Sequence, residues 1–220
     1  MIKKIYYWFY HKTSASEDRG EYSSGYWQGK IRSQVVEWVR GNAGKILEIG
    51  CAEGLLLSRI CQACPRAEVV GIDRDMQRVA KAQERIVREK KENVSAAVAE
   101  AANTGFPDAY FDTVICVNFL FMLASLDAVQ EVLRELVRVV RPGGKIIFEL
   151  RSSRNVFFVL KYRLAHLYDG TVAHQSLRTY APETIHGLVR SFGFQVIHTK
   201  YIGFGSRWFA PIIMLEVKKP

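Results

Sequence analysis

Glu48, Gly50, Gly54 and Asp73 are the residues whose types and spacing are best suited to chemistry. An apolar run, KILEI, carries Glu48 near its end, and a turn with two glycines follows before an apolar helical pattern begins at Leu55. Asp73 closes a second apolar run, EVVGI, nineteen residues after Gly54. Glycines let a turn close tightly and let a ligand approach the backbone. An acid at the end of the second run can accept hydrogen bonds from both hydroxyls of a ribose. A nucleotide-like ligand is expected at this turn.

Three details choose among such ligands. A dinucleotide turn reads G-x-G-x-x-G, whereas this one reads G-C-A-E-G. Glu53 falls where a helix N-terminus would receive a pyrophosphate, and two anions repel there. Glu48 sits at the strand end, where an ammonium group would be welcome. S-adenosylmethionine has no phosphate and carries an ammonium, a carboxylate and a sulfonium. The acids therefore disfavour NAD and suit this zwitterion. Cys51, inside the turn, is expected to contribute backbone. The plainer alternatives are a tight turn relieved by glycine and an N-cap role for Asp73, although Asp75 is the better cap candidate.

These residues need a frame. KILEI (45–49), EVVGI (68–72), VSAAVA (94–99), FDTVICV (111–117) and KIIFEL (145–150) are short, rich in Val and Ile, and apolar on both parities. That pattern predicts strands buried on both faces of a parallel sheet. Helices are predicted over 75–93 and over 127–140, the second from the stripe Val129, Val132, Leu133, Leu136, Val137 and Val140. Arg141-Pro142-Gly143-Gly144 is expected to stop it as a turn. FQVIHTKYI (194–202) and PIIMLEV (211–217) have no helix between them and should pair antiparallel. The expected fold is α/β, a doubly wound, mostly parallel seven-stranded sheet with a C-terminal antiparallel hairpin. One domain is expected over 1–220: an N-terminal arm and lid helix (1–44), a cofactor-binding core (45–150), an insert or lid (151–180), and a last helix with the edge hairpin (181–220).

The chain resembles class I S-adenosylmethionine-dependent methyltransferases from about residue 28 to 217. Glu48-Ile49-Gly50-Cys51-Ala52-Glu53-Gly54 is similar to their first motif, an acid-x-G-x-G-x-G turn in which Ala52 replaces the middle glycine. Val69-Val70-Gly71-Ile72-Asp73 resembles the second-strand motif with its ribose-binding acid. Glu100-Ala101, followed by Phe106-Pro107-Asp108 and Phe111-Asp112, resembles the stretch that holds adenine by an acid and a backbone N–H, with Glu100 where that family usually has Asp. Arg141 to Gly144 resembles the turn before the fifth strand. The resemblance implies a Rossmann-like methyltransferase fold, S-adenosylmethionine as cofactor with S-adenosylhomocysteine as product, and an enzyme. Arg74 and Met76 either flank the adenine or lie on the surface. Asn118 either lines the site near the methyl group or is a turn residue.

Methyl transfer from a sulfonium is an in-line displacement that asks mainly for positioning and exclusion of water. An oxygen acceptor can need a general base; His166 and His174, in the insert, are the candidates, or else ordinary structural histidines. The turn after the fourth strand, Asn118-Phe119-Leu120-Phe121, lacks the prolines of enzymes that methylate amino groups of bases or glutamine. The acceptor site is expected from Tyr22, Tyr26 and Trp27 of the arm and from Arg151 and Arg154 of the insert. The expected acceptor is a small molecule methylated at oxygen or nitrogen, with anionic, sugar-like or lipid-like character. A nucleic-acid methyltransferase and a non-catalytic methyltransferase-like partner protein are the alternatives.

Charge supports attention to the flanks. The 220 residues carry a net charge of +9. Residues 145–220 hold eleven Lys and Arg against four acids, whereas residues 46–144 hold twelve against fourteen. Basic flanks either serve solubility or meet an anionic partner. The segment Arg154 to Leu167 suits either an interfacial helix at a lipid surface or a lid helix packed on the sheet. A hydrophobic content of 49% excludes disorder, and no apolar run reaches the ~18 residues of a membrane span. MIKKIYYWFYHK lacks a signal-peptide pattern, and a cytoplasmic location is expected, peripheral to the membrane if the interfacial version holds. Cys61 and Cys64, a lone CxxC without nearby histidines, are expected as ordinary thiols, and no metal site is expected.

Overall fold

The computed structural model describes residue 8 and residues 26–168, 177–203 and 207–220. The elements run α1 (Tyr26–Val39), β1 (Lys45–Ile49), α2 (Leu55–Ala63), β2 (Glu68–Asp73), α3 (Met76–Arg88), β3 (Val94–Val98) and β4 (Phe111–Cys116). A short 3-10 turn (Leu120–Met122) precedes α4 (Leu126–Val139) and β5 (Val140–Arg151). The chain ends with α5 (Val156–Arg163), α6 (Ala165–Tyr168), α7 (Pro182–Ser191), β6 (Gln195–Ile202) and β7 (Ile212–Lys218).

The strands form one seven-stranded sheet in the order β3-β2-β1-β4-β5-β7-β6. The first five are parallel, and β7 lies antiparallel between β5 and β6, as the two C-terminal apolar runs predict. Strand order reverses between β1 and β4. Ligands of open α/β sheets sit outside the carboxyl ends of the strands at such a point.

Helices cover both faces. On one, Ile31, Val35 and Val39 of α1 pack with Leu57 and Ile60 of α2 and Val79 and Ala82 of α3. On the other, the α4 stripe Val129, Val132, Leu133, Leu136 and Val139 packs with Ile185, Leu188 and Val189 of α7. Burial of one such aliphatic side chain contributes ~1.5–3 kcal/mol. The helical spacing in the sequence is therefore the cause of the three-layer arrangement.

Boundaries differ from the sequence reading where local chemistry intervenes. The α3 helix stops at Arg88, because Lys90 takes a left-handed φ of 52° before the expected end at Asn93. Its start is fixed by Asp75, whose Oδ1 accepts the N–H groups of Gln77 and Arg78 at 3.0 and 3.2 Å. Arg141 to Gly144 is not a free turn. It forms the irregular first part of β5, and the register against β4 shifts between Phe111 and Thr113. The helix instead ends by cap geometry, Val140 being extended at φ −80° and ψ 137°.

Candidate active site

The glycine turn sits directly against the end of β2. The N–H groups of Gly50 and Cys51 both donate to the carbonyl of Ile72, at 2.8 and 2.9 Å. Ala52 takes a left-handed φ of 47°, and its N–H donates to Asp73 Oδ2 at 3.0 Å. Gly50 has φ 75°, and a Cβ there would stand 2.8 Å from the Phe119 ring. Both the backbone angle and the approach of Phe119 therefore require glycine at this position. Phe119 follows Asn118, so the loop after β4 closes on the turn after β1.

Glu48 is 4% exposed, and its Oε2 has no hydrogen-bond partner among the described residues. Burial pushes its carboxyl up to about 8, Arg32 pulls it back, and Asp73 adds to the rise. An orphaned buried carboxylate oxygen next to the turn fits an ammonium group, which would supply the missing donor and the missing charge. Arg32, buried on α1 close enough to Glu48 to act on its carboxyl, is a neighbour of the candidate site that sequence reasoning missed. Its signal was a charged residue one position after Ile31 on the apolar stripe of α1. The positive charge complements the carboxylate of the same zwitterion.

Glu53 plays a different part from the one read in the sequence. Its carboxylate pairs with Lys81 of α3 at 3.0 Å. The charge is spent on holding α2 to α3, so it gives no argument about the ligand at the helix N-terminus. Asp73 remains available. Its Oδ1 accepts the N–H of Asp75 at 3.0 Å, and a carboxylate has about four acceptor sites, two of them now used.

The residues expected to hold adenine lie at the ends of β2 and β3. Asp73 and Val98 are register partners, so Arg74 and Met76 leave β2 beside the loop that carries Glu100 and Ala101. Met76 is 72% exposed at the start of α3, Arg74 and Glu100 are exposed, and Ala101 is half-buried against the core. The loop is anchored from below. Glu135 of α4 accepts the N–H and hydroxyl of Thr104 at 2.8 and 2.7 Å. Arg138 donates to it as well, and these donors hold its carboxyl down to about 2.

A second cluster lies at the ends of β4 and β5, where acceptor residues are expected. Asn118 takes a left-handed φ of 58°, and its N–H donates to Glu149 at 2.7 Å. Its Oδ1 accepts from Arg151 at 3.3 Å. Glu149 and Arg151, two apart on β5, share a face of the strand and form a fully buried ion pair at 3.4 Å. Burial pushes Glu149 up to about 7, against the pull of Arg151. The guanidinium lies 4.4 Å over the Phe121 ring, and Tyr162 of α5 stacks on Phe121. Phe158 and Trp27 complete the roof, their ring centroids 6.0 Å apart.

The expected acceptor residues are therefore only partly assembled. Trp27 and Arg151 come together through Phe158, Tyr162 and Phe121. Tyr26 is exposed and meets Trp27 edge-on. Arg154 stands apart, exposed, paired with Glu183 at 2.6 Å and set over Trp208. His166 lies in α6, while His174 and Tyr22 lie outside the described residues. Glu149 was not singled out as a site residue, because an acid in KIIFEL shows its partners only after folding. Cys61 and Cys64 are buried thiols that donate to Asn93 Oδ1 and the Val39 carbonyl. Cys51 is buried in the turn, where burial holds its thiol well above the usual range.

A family model described as a methyltransferase domain matches residues 46–144. A phosphatidylethanolamine N-methyltransferase of Cereibacter sphaeroides is 29% identical over 136 residues, 61% of this chain and 64% of that protein. A demethylmenaquinone methyltransferase of Geobacillus sp. (strain WCH70) is 30% identical over 120 residues, 54% of this chain and 50% of that protein. The chain thus spans between half and two thirds of the length of these two relatives. The N-methyltransferase NodS of Bradyrhizobium japonicum WM9, solved with S-adenosyl-L-homocysteine, superposes with a TM-score of 0.68 at 15% identity, covering 97% of this chain and 98% of that one. That likeness shows the fold. The glycine turn, the acid closing β2 and the reversed strand order agree with it: residues 46–144 are a methyltransferase domain, in a chain with the fold of S-adenosylmethionine-dependent methyltransferases.

Proposed function

We propose that the chain transfers a methyl group to an oxygen or nitrogen of a small-molecule acceptor that joins an anionic group to an apolar body. The observation that carries this reading is Arg151. It is 2% exposed, and its Nε and Nη1 find no hydrogen-bond acceptor among the described residues. Buried guanidinium donors without acceptors are costly, and the oxygens of an anionic group would supply the missing acceptors. The rings of Phe121, Tyr162, Phe158 and Trp27 beside it suit an apolar body. The names of two relatives point the same way, since phosphatidylethanolamine and demethylmenaquinone both join a polar head to an apolar chain.

S-adenosylmethionine supplies an electrophilic methyl on a sulfonium. In this reading Glu48 and Arg32 hold the amino-acid end, Asp73 the ribose, and Glu100 with the Ala101 N–H the adenine. Asn118, at the junction of the two halves, positions the acceptor toward the methyl. Arg151 holds the acceptor's anionic group, and the aromatic roof excludes water from the displacement. An acceptor amine must arrive uncharged, which a site walled by aromatic rings favours.

The test is release of S-adenosylhomocysteine by the purified chain over a panel of acceptors. Amphiphiles with phosphate, carboxylate or phenolate groups should be turned over, and matched neutral amphiphiles should be poorer. Turnover of RNA or DNA with no reaction on any amphiphile would overturn the reading.

A further inference from the structure

We propose that the outer face of α5 and residues 207–209, just before β7, dock on an anionic lipid surface, placing the acceptor pocket at the membrane. The two faces of α5 do different things. Phe158 and Tyr162 turn inward onto Trp27 and Phe121. Val156, Phe157, Leu160 and Leu164 fall at positions 0, +1, +4 and +8, one side of the helix, and all are exposed. Phe157 is 71% exposed. An apolar stripe on the solvent side of a lid helix has no role in the core.

A second element extends the stripe. Trp208 and Phe209, in the loop before β7, are 57% and 54% exposed. Asn155 fastens that loop to the start of α5. Its Nδ2 donates to the Phe209 carbonyl at 2.6 Å, while its Oδ1 caps the helix by accepting the Phe158 N–H at 3.0 Å. The Arg154 guanidinium lies 5.1 Å over the Trp208 ring, joining the two elements from the side. Tryptophan and phenylalanine beside an apolar helix face suit the boundary between headgroups and acyl chains.

Charge selects the partner. Lys161 and Arg163 stand on α5, and Arg154 and Arg207 flank Trp208. Of the four acids in residues 145–220, Glu149 and Glu216 are buried, and Asp169 lies outside the described residues. Glu183, paired with Arg154, is the one exposed acid among the described residues of this part. Basic side chains around an apolar stripe are what an anionic bilayer attracts. No described helix is long and apolar enough to cross a membrane, so the contact is one of lying on the surface.

The inference stands whether or not the acceptor is a lipid. The experiment is sedimentation of the full chain with phosphatidylcholine vesicles, with and without phosphatidylglycerol. The expected result is binding to the anionic vesicles that falls as salt is raised, with a blue shift of tryptophan emission. Leu160→Ser combined with Trp208→Ser should weaken that binding about tenfold or more, from the apolar surface removed. Affinity for S-adenosylhomocysteine should stay unchanged, as should turnover of a water-soluble acceptor. No vesicle binding, or binding indifferent to the double substitution, would overturn the inference. So would concentration-dependent self-association that the same substitution abolishes, because the face would then be covered by a second copy.

Discussion

Asp73 Oδ2 accepts the N–H of Ala52 at 3.0 Å, tying the end of β2 to the turn after β1. The acid assigned to the ribose therefore also shapes the turn that receives the amino-acid end. Asp73→Ala removes both and should weaken S-adenosylhomocysteine binding by about 1.5–3 kcal/mol, the range for a charged acceptor. Asp73→Asn keeps one oxygen for the Ala52 N–H and should lose less. Calorimetry on the three proteins is the measurement, and equal affinities would sink the assignment.

With Glu48 as the proposed partner of the ammonium group, cofactor binding should depend on protons. Its folded carboxyl lies at about 8, raised from 4.5 by burial. Between those values the folded chain holds a proton that the unfolded chain has released, so stability of the ligand-free protein falls as pH rises through the window. A bound ammonium favours the carboxylate and removes that loss. The thermal shift produced by S-adenosylhomocysteine should therefore grow from pH 6 to pH 8. Near neutral pH, binding should release a proton, seen as a calorimetric heat that tracks the ionisation enthalpy of the buffer. Glu48→Gln should abolish that dependence.

The parts legible in the sequence are those with a local cause. Gly50 and Asp73 stand where a strand meets a turn, and their demands follow from backbone angle and from one or two neighbours. β1 and β4 read as apolar runs because both faces are buried, whereas β3, at the sheet edge, exposes Ser95, Ala97 and Val98 and does not meet that expectation. Arg32 was not legible, since its burial depends on how α1 packs against α2 and β6. Glu149 and Arg151 looked like the end of a strand and the start of an insert, and only the pairing of β5 with β7 shows both to be inside. Glu53 was misread because Lys81, its partner, comes from a separate helix twenty-eight residues on. The two histidines rest on residue type and on their place in the insert after β5, which says nothing of whether either reaches the site.

Glu135 anchors the loop proposed for adenine. It accepts both Thr104 donors and pairs with Arg138 at 2.7 Å, which hold its carboxyl down to about 2 from the ordinary 4.5. A lowered carboxyl gives stability that is present above 4.5 and lost as pH falls toward 2. Glu135→Ala should cost about 2–3 kcal/mol of stability by denaturant unfolding, from the loss of charged hydrogen bonds to buried donors. It should also weaken cofactor binding through the loop. Glu100→Ala, which touches nothing in the core, should weaken binding with stability unchanged, and Glu100→Gln should keep part of the affinity. If Glu100→Ala binds as the parent does, that residue is an ordinary loop acid.

Arg151 is the residue on which the acceptor reading turns, and its partner complicates the test. Arg151→Met alone leaves Glu149 buried without its cation, a defect worth about 3–5 kcal/mol. A fall in activity would then report damage rather than lost recognition. The double variant Glu149→Gln, Arg151→Met avoids this. The Gln carbonyl can still accept the Asn118 N–H that Glu149 accepts at 2.7 Å, and no charge is left unpaired. The double variant should unfold nearer the parent than Arg151→Met does, and its affinity for S-adenosylhomocysteine should match the parent's. Its kcat/KM for an anionic amphiphile should fall by about 10- to 100-fold, as expected for losing charged hydrogen bonds of about 1.5–3 kcal/mol. For a neutral amphiphile the fall should be small. A double variant that discriminates between the two acceptors as the parent does would show that Arg151 only braces the end of β5.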